Sequence, residues 1–301
     1  MDPIAEPELL FACTHPAIDR DAHAGLLLEL VLGVEAGRIA TASGRCPDAL
    51  TGELVAAKRV LHGRGVAPPV PATRTSRLAA LLAAIRRIHG AAPLEVEGGS
   101  GPMLGLEEEA RTLAEAVVER FPDEPEARGL LALLLHHAAR HPAHEGAYVP
   151  LADQDPGRWD PAHLARADEH LTLAAERSRF GRFQLEAAIA SAHARRREAG
   201  SADWRAIGRL YAGLVQLTRA ADAFVGQAAA MQALAGPAMA LIHLDATPTH
   251  LVADHQPHWA LRAQLLRELG RGPEAHVAFG EALRLTRDPA VLAFLRARRL
   301  G

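Results

Sequence analysis

The sequence predicts an all-α protein. Three observations carry that expectation. Apolar residues recur at three- and four-residue spacing along almost the whole chain. Alanine and leucine, both strong helix formers, dominate the 49% of residues that are hydrophobic. Glycine and proline punctuate the periodic stretches, as at Gly44, Pro47, Pro122, Gly200, Pro237 and Pro289, and no alternating stretch bounded by hairpin turns occurs.

A chain of 301 residues is long enough to bury a real core, in one large or two modest domains. With 23% charged residues and a net charge of −3, the surface as a whole is unsuited to nucleic acid or anionic membrane. Arginine supplies almost all the positive charge; Lys58 is the only lysine. Cys13 and Cys46 lack C-x-x-C spacing, which argues against a thiolate zinc site or a disulfide framework and fits a reducing cytoplasm. The first residues, MDPIAEPELLFACTHP, are acidic where a secretory leader is basic. The longest uncharged run, Ala223 to Ile242, is interrupted by Gln227, Gln232 and Gly236-Pro237. It reads as two buried helical segments, not a membrane span. The expectation is a cytoplasmic protein without a membrane partner.

Taken in order, residues 21–42 predict one or two amphipathic helices with Leu26, Leu27, Leu30 and Ile39 on the apolar face. A turn follows at Ser43-Gly44-Arg45-Cys46-Pro47, and a second helix runs from Asp48 to Arg59, giving a helix-turn-helix outline. Gly/Pro-rich runs at 63–72 and 90–102 read as linkers. They divide the chain into a helix-turn-helix unit, 1–65, and a C-terminal helical array, 75–301. Within the array, Trp204, Ile207, Gly208 and Tyr211 have the W-x2-L-G-x2-Y spacing of a tetratricopeptide repeat, with Ala220 and Phe224 at second-helix offsets. A weaker copy runs through Trp259, Ala263, Leu266, Ala275, Phe279 and Ala282. The pattern also suits any alanine-rich helical hairpin, because small residues let paired helices approach while aromatics fill the gaps.

Candidate chemistry is sparse. His136 and His137 lie near a helix end, and His137 and His141 have the i, i+4 spacing of a metal-binding pair. No carboxylate completes an H-E-x-x-H motif, so solvated helix-end histidines are the simpler reading. A second group, His243, Asp245, His250, Asp254, His255 and His258, sits on backbone broken by prolines and suits loop histidines or an acid/base site. The densest polar cluster holds Asp153, Asp155, Arg158, Trp159 and Asp160, after Tyr148. Asp160 and Pro161 read as the N-cap and first position of a helix. The loop either docks structurally on the array or lines a pocket. In the second case Asp153, Asp155 and Arg158 join His136 and His137 as catalytic candidates, while Tyr148, Trp159 and Asp160 hold the ligand. A Cys13/His15 nucleophile pair is conceivable. No Gly-rich phosphate loop, G-x-S-x-G or kinase signature occurs, and neither a cofactor nor a resident metal is expected.

Five segments occur in a familiar order: CTHPAI at 13–18, LVAAKRVL at 54–61, FPDEPEARGLLALLLHHAAR at 121–140, LADQDPGRWD at 151–160 and FQLEAAIASAHA at 183–194. On these residues the chain resembles the extracytoplasmic-function RNA polymerase sigma factors that carry a tetratricopeptide-like C-terminal extension. The resemblance implies that residues 1–65 correspond to the domain reading the −35 promoter element, and that the array is a regulatory extension. It also implies that the preceding domain, which grips core polymerase, is not in this sequence. Thr51, Lys58 and Arg59 would then be the DNA-facing residues. Family members tend to carry arginines near the positions of Glu53 and Ala56, and the helix from Asp48 to Arg59 has two acids and two bases. Phosphate contacts dominate DNA affinity, so a helix without net charge predicts weak binding at most.

Two functions stay open. One is a truncated sigma-factor-like regulator acting through protein contacts with RNA polymerase or another regulator. The other is a sigma-like scaffold repurposed as an enzyme or small-molecule binder, with its pocket in the array. Fold alone does not choose between them.

Overall fold

Helices supply all the regular structure of the described residues in the computed structural model, which are 7–64, 71–90, 96–99, 103–140, 148–177 and 179–300. No strand occurs among them. The all-α class predicted from periodicity is therefore observed.

The chain opens with α1 (Pro7–Cys13) and α2 (Arg20–Leu26), the latter capped by Asp19, which accepts a hydrogen bond from the Asp21 amide. A π-helical turn at Leu27–Val31 prolongs α2, and Gly33, at φ 67°, breaks it. The following helix, α3 (Ala36–Ser43), ends at Gly44 in the left-handed region, whose amide returns to the carbonyls of Ala40 and Thr41. The turn lies where the sequence placed it. After it comes α4 (Pro47–Arg64), longer than expected, and then α5 (Pro71–His89).

Four helices build the centre: α6 (Glu107–Arg120), α7 (Pro125–Ala139), α8 (Pro161–Ala175) and α9 (Arg182–Ala194). Leu130 to Leu135 of α7 are all buried, so this helix has almost no solvent face. Gly129 admits α9 closely; a Cβ there would lie 2.7 Å from the Gln184 amide nitrogen. Leu26, Leu54, Ile85, Leu113, Leu131 and Phe183 belong to one continuous core. The helices on either side of the predicted boundary at 65–75 thus share their hydrophobic interior.

The remainder comprises α10 (Arg196–Ala199), α11 (Trp204–Thr218), α12 (Ala221–Ala235), α13 (Pro237–Asp245), α14 (Thr249–Val252), α15 (Gln256–Glu268), α16 (Gly272–Leu285) and α17 (Pro289–Leu300). On α11, the Tyr211 ring lies over Gly226 of α12, where any Cβ would collide with it. Ala263 and Leu266 of α15 pack with Ala275, Phe279 and Ala282 of α16 in a second core. The uncharged stretch forms α12 and α13, separated at Gly236. It is not wholly buried: α13 covers Ala240, Leu241 and Leu244 but exposes Met239 and Ile242. Among the described residues, no helix is long and apolar enough to cross a membrane.

Candidate functional site

On α5, Ala79, Ala80, Ala83 and Ala84 present side chains too short to fill the space beside them. A cleft of about 730 Å³ results, between α2 and α5 on one side and the first turns of α9, α12 and α15 on the other. That volume lies within the roughly 300–1,000 Å³ of small-molecule sites.

Its polar wall is a braced network. Glu186 of α9 accepts from Arg86 Nε at 3.2 Å and from Arg182 Nε at 2.5 Å, one guanidinium on each carboxylate oxygen. Arg182 and Glu186 are one helical turn apart on α9, whereas Arg86 reaches Glu186 from α5. Asp222, in the first turn of α12, faces His255 Nε2 at 2.8 Å. His255 caps α15, its Nδ1 accepting the His258 amide at 3.3 Å. An accepting Nδ1 places the proton of the neutral ring on Nε2, so His255 donates to Asp222. Burial works to raise the Asp222 pKa, but the His255 hydrogen bond and the charges of Arg86 and Arg182 outweigh it and hold the carboxyl below its ordinary value. Asp222 is therefore an oriented carboxylate. Its Oδ2 accepts no hydrogen bond among the described residues.

A smaller cavity of about 390 Å³ adjoins the cleft, sharing Asp21, Arg87, Asp254 and Leu285 with it. It extends to the α3–α4 turn, where the Arg287 side chain donates to the Ser43 carbonyl oxygen.

The sequence candidates lie elsewhere. His136 is 2% exposed, with Nε2 3.6 Å from Asp168 Oδ1, an oxygen that Ser191 Oγ also approaches at 2.9 Å. Burial pushes its pKa down to about 4. The His137 ring meets His89 edge-on at 4.8 Å, and its Nδ1 faces Arg140 Nη2 at 3.1 Å. Burial, with the charges of Arg140 and Arg86 adding to it, pushes both rings well below the ordinary imidazole value. These are packed histidines, not the solvated helix-end pair the sequence suggested, because neighbours enclose α7 on nearly every side. His141 lies outside the described residues. Among the described residues, no group of three histidine, cysteine or acidic side chains is placed to hold a metal.

The loop before α8 is a clasp. Trp159 is 1% exposed and packs with Leu151, Leu164 and Ala194. Arg196 lies over its ring at 5.2 Å and donates to the carbonyls of Leu151 and Gln154. Asp155 caps a 3-10 turn through the Gly157 amide at 2.8 Å. Asp160 caps α8 through the Ala162 amide at 2.8 Å and meets His163 Nδ1 at 2.6 Å; that last bond chiefly holds its pKa below the usual value. Asp153, Asp155 and Arg158 are exposed. Tyr148 ties two segments: its hydroxyl accepts the Gly98 amide at 2.7 Å and donates to Val96, and its ring lies 4.8 Å from Phe294. Burial pushes that phenol up to about 12. None of these residues lines the cleft.

On α4, Thr51 and Arg59 are exposed, Lys58 Nζ meets Glu29 Oε1 at 2.8 Å, and Arg45 pairs with Glu53. Cys13 is fully buried and its thiol is pushed up to about 12, which removes the nucleophile reading; His15 Nδ1 instead accepts the Ala17 amide. The second histidine group disperses. His243 and His250 are exposed, Asp245 pairs with Arg262, and His258 is buried with its pKa pushed down to about 4 by that burial. Only Asp254 and His255 reach the cleft. Sequence reading missed Arg86, Arg182, Glu186 and Asp222; the i, i+4 spacing of Arg182 and Glu186 was the one local signal.

Two comparisons bear on the chain. The profile of the Family of unknown function (DUF6596) matches residues 77–175, a stretch from α5 to the end of α8. Over 293 residues the chain is 32% identical to uncharacterized protein R00370 of Rhizobium meliloti (strain 1021), with 96% of this chain and 69% of that protein covered.

Proposed function

The chain belongs to the family of the Rhizobium meliloti protein R00370, and we propose that it is a sigma-factor-like transcription regulator that acts through protein contacts and binds DNA weakly at most. The observation that carries this reading is the state of the charges on and beside α4. Lys58 is held by Glu29, and Arg45 is paired with Glu53. Bases already neutralised by neighbouring acids release few counterions from DNA, and that release supplies most of a DNA binder's affinity. The same helix exposes Val55 and Ala56, a surface better suited to protein than to phosphate. RNA polymerase or another regulator is the proposed partner, on the strength of the sigma-like segments.

The test is a selection of promoter duplexes from a random library at physiological salt, together with co-sedimentation with core RNA polymerase. The reading expects no enriched motif and a complex that forms without DNA. A single strongly enriched motif overturns it, and so does a complex that forms only on DNA.

A second reading, a scaffold repurposed for small molecules, is favoured by the braced Arg86–Glu186–Arg182 network beside Asp222 in the cleft. Within it, binding is favoured over catalysis. Both ring nitrogens of His255 are engaged, so the histidine has no nitrogen to spare for a substrate proton.

A further inference from the structure

We propose that the cleft beside α5 is a binding site for a small zwitterion of amino-acid chemistry, its ammonium on Asp222 and its carboxylate on Arg20 and Arg87. The proposal rests on the small-molecule reading above and deepens it.

The charge pattern selects the ligand class. Arg20, Arg86, Arg87 and Arg182 line the cleft against Asp21, Asp222 and Asp254, and Glu186 pairs with both Arg86 and Arg182. Positive and negative groups balance, so no net charge draws in a simple ion. A lone cation at Asp222 also meets the fields of Arg86 and Arg182, which already act on that carboxylate. A lone anion beside Arg87 meets Asp21 at that arginine's side. A molecule carrying both charges satisfies both walls without adding net charge to a half-enclosed site.

The two poles differ in how they are built. Asp222 is prepared: one oxygen is fixed by His255, whose ring is fixed in turn by the α15 backbone, and the other oxygen accepts nothing among the described residues. An ammonium there gains a charge-assisted hydrogen bond with no rearrangement of the carboxylate. At the other pole the arginines are exchangeable. Arg87 lies 3.4 Å from Asp21, with side chains 50% and 69% exposed. Such exposed pairs contribute little, so swapping Asp21 for a ligand carboxylate costs little. Arg20 makes no ion pair among the described residues and stands beside Asp21 on α2. By contrast, Arg86 and Glu186 are 14% and 13% exposed and bound to each other; they shape the wall and are not released. The alanine floor offers an apolar surface to the ligand's aliphatic chain. Asp21 and Arg87 also line the cavity that reaches Ser43 and Arg287.

The experiment uses the full chain, with isothermal titration and thermal shift as readouts. The probes are the L-amino acids and the ω-amino acids β-alanine, γ-aminobutyrate and 6-aminohexanoate, whose lengths gauge the distance between the poles. Acetate and methylammonium are the single-charge controls. The expected result is saturable binding of at least one zwitterion and none of either control. Affinity should fall about tenfold or more in Asp222→Asn and in Arg87→Met, as for a lost charge-assisted hydrogen bond. Circular dichroism and melting of each variant establish that it folds; Arg87→Met, on a half-exposed side chain, keeps the test valid if Asp222→Asn does not fold. Acetate binding as well as the zwitterions, or zwitterion binding unchanged in both variants, overturns this proposal while leaving the small-molecule reading standing. No binding by any probe overturns both.

Discussion

Arg287, in the connection between α16 and α17, donates a hydrogen bond to the carbonyl oxygen of Ser43, 244 positions earlier, at the end of α3. The connection after α16 thereby grips the α3–α4 turn. The contact depends on Gly44: its backbone is left-handed at φ 59°, and a Cβ there would collide with the Arg287 side chain.

Gly44→Ala is expected to destabilise the protein by about 1–2 kcal/mol, from the left-handed backbone alone, with the Arg287 collision adding to it. In an Arg287→Ala background the added part should vanish, so urea unfolding of the two single variants and the double variant should show non-additivity. Strict additivity would mean that the Arg287 contact is not made in solution.

Trp159→Ala should cost roughly 3–5 kcal/mol, as for other buried aromatics. Arg196→Ala should remove part of the same stabilisation, since it covers the ring and holds two loop carbonyls. Asp155→Asn, on an exposed turn, should change stability little. Chemical denaturation of the three variants checks the ranking; a Trp159→Ala loss below about 1 kcal/mol would contradict the clasp.

Stability should rise with pH through mildly acid conditions. The folded pKa of His136 is pushed from 6.5 down to about 4, and that of His258 likewise to about 4. In that window the unfolded chain binds protons that the folded chain does not, so stability is fully present above pH ~6.5 and is lost as pH falls toward about 4. His89 and His137 act in the same direction. Each proton contributes a slope of up to about 1.4 kcal/mol per pH unit. Denaturant midpoints measured between these limits should fall on acidification, and His136→Gln should flatten the curve by up to one proton. A midpoint that does not change with pH would contradict the burial of these rings.

The parts of this structure legible in the sequence are those that short-range physics sets. The helical period gave the class. Gly44 marked the α3–α4 turn because its backbone conformation excludes most other residues, and Asp160-Pro161 marked the start of α8 because capping is local. The site was less legible. Arg86 meets Glu186 across 100 positions, and Asp222 meets His255 across 33; no spacing rule relates residues on different helices. Likewise the histidines of α7 read as solvated because a helix end is usually exposed, whereas here the central position of α7 buries them. Arg196, which covers the Trp159 ring and holds two loop carbonyls, lies beyond α9, out of reach of any local pattern.

In the proposed function, the α2–α4 segment works through protein contacts with little call on DNA phosphates. Its most direct test is the slope of log K against log salt for binding to a duplex, measured by fluorescence anisotropy. With Lys58 and Arg45 already paired, binding should be weak, with a slope of about −2 or shallower. Tight binding with a slope of about −5 or steeper, the signature of six or more phosphate contacts, would contradict it.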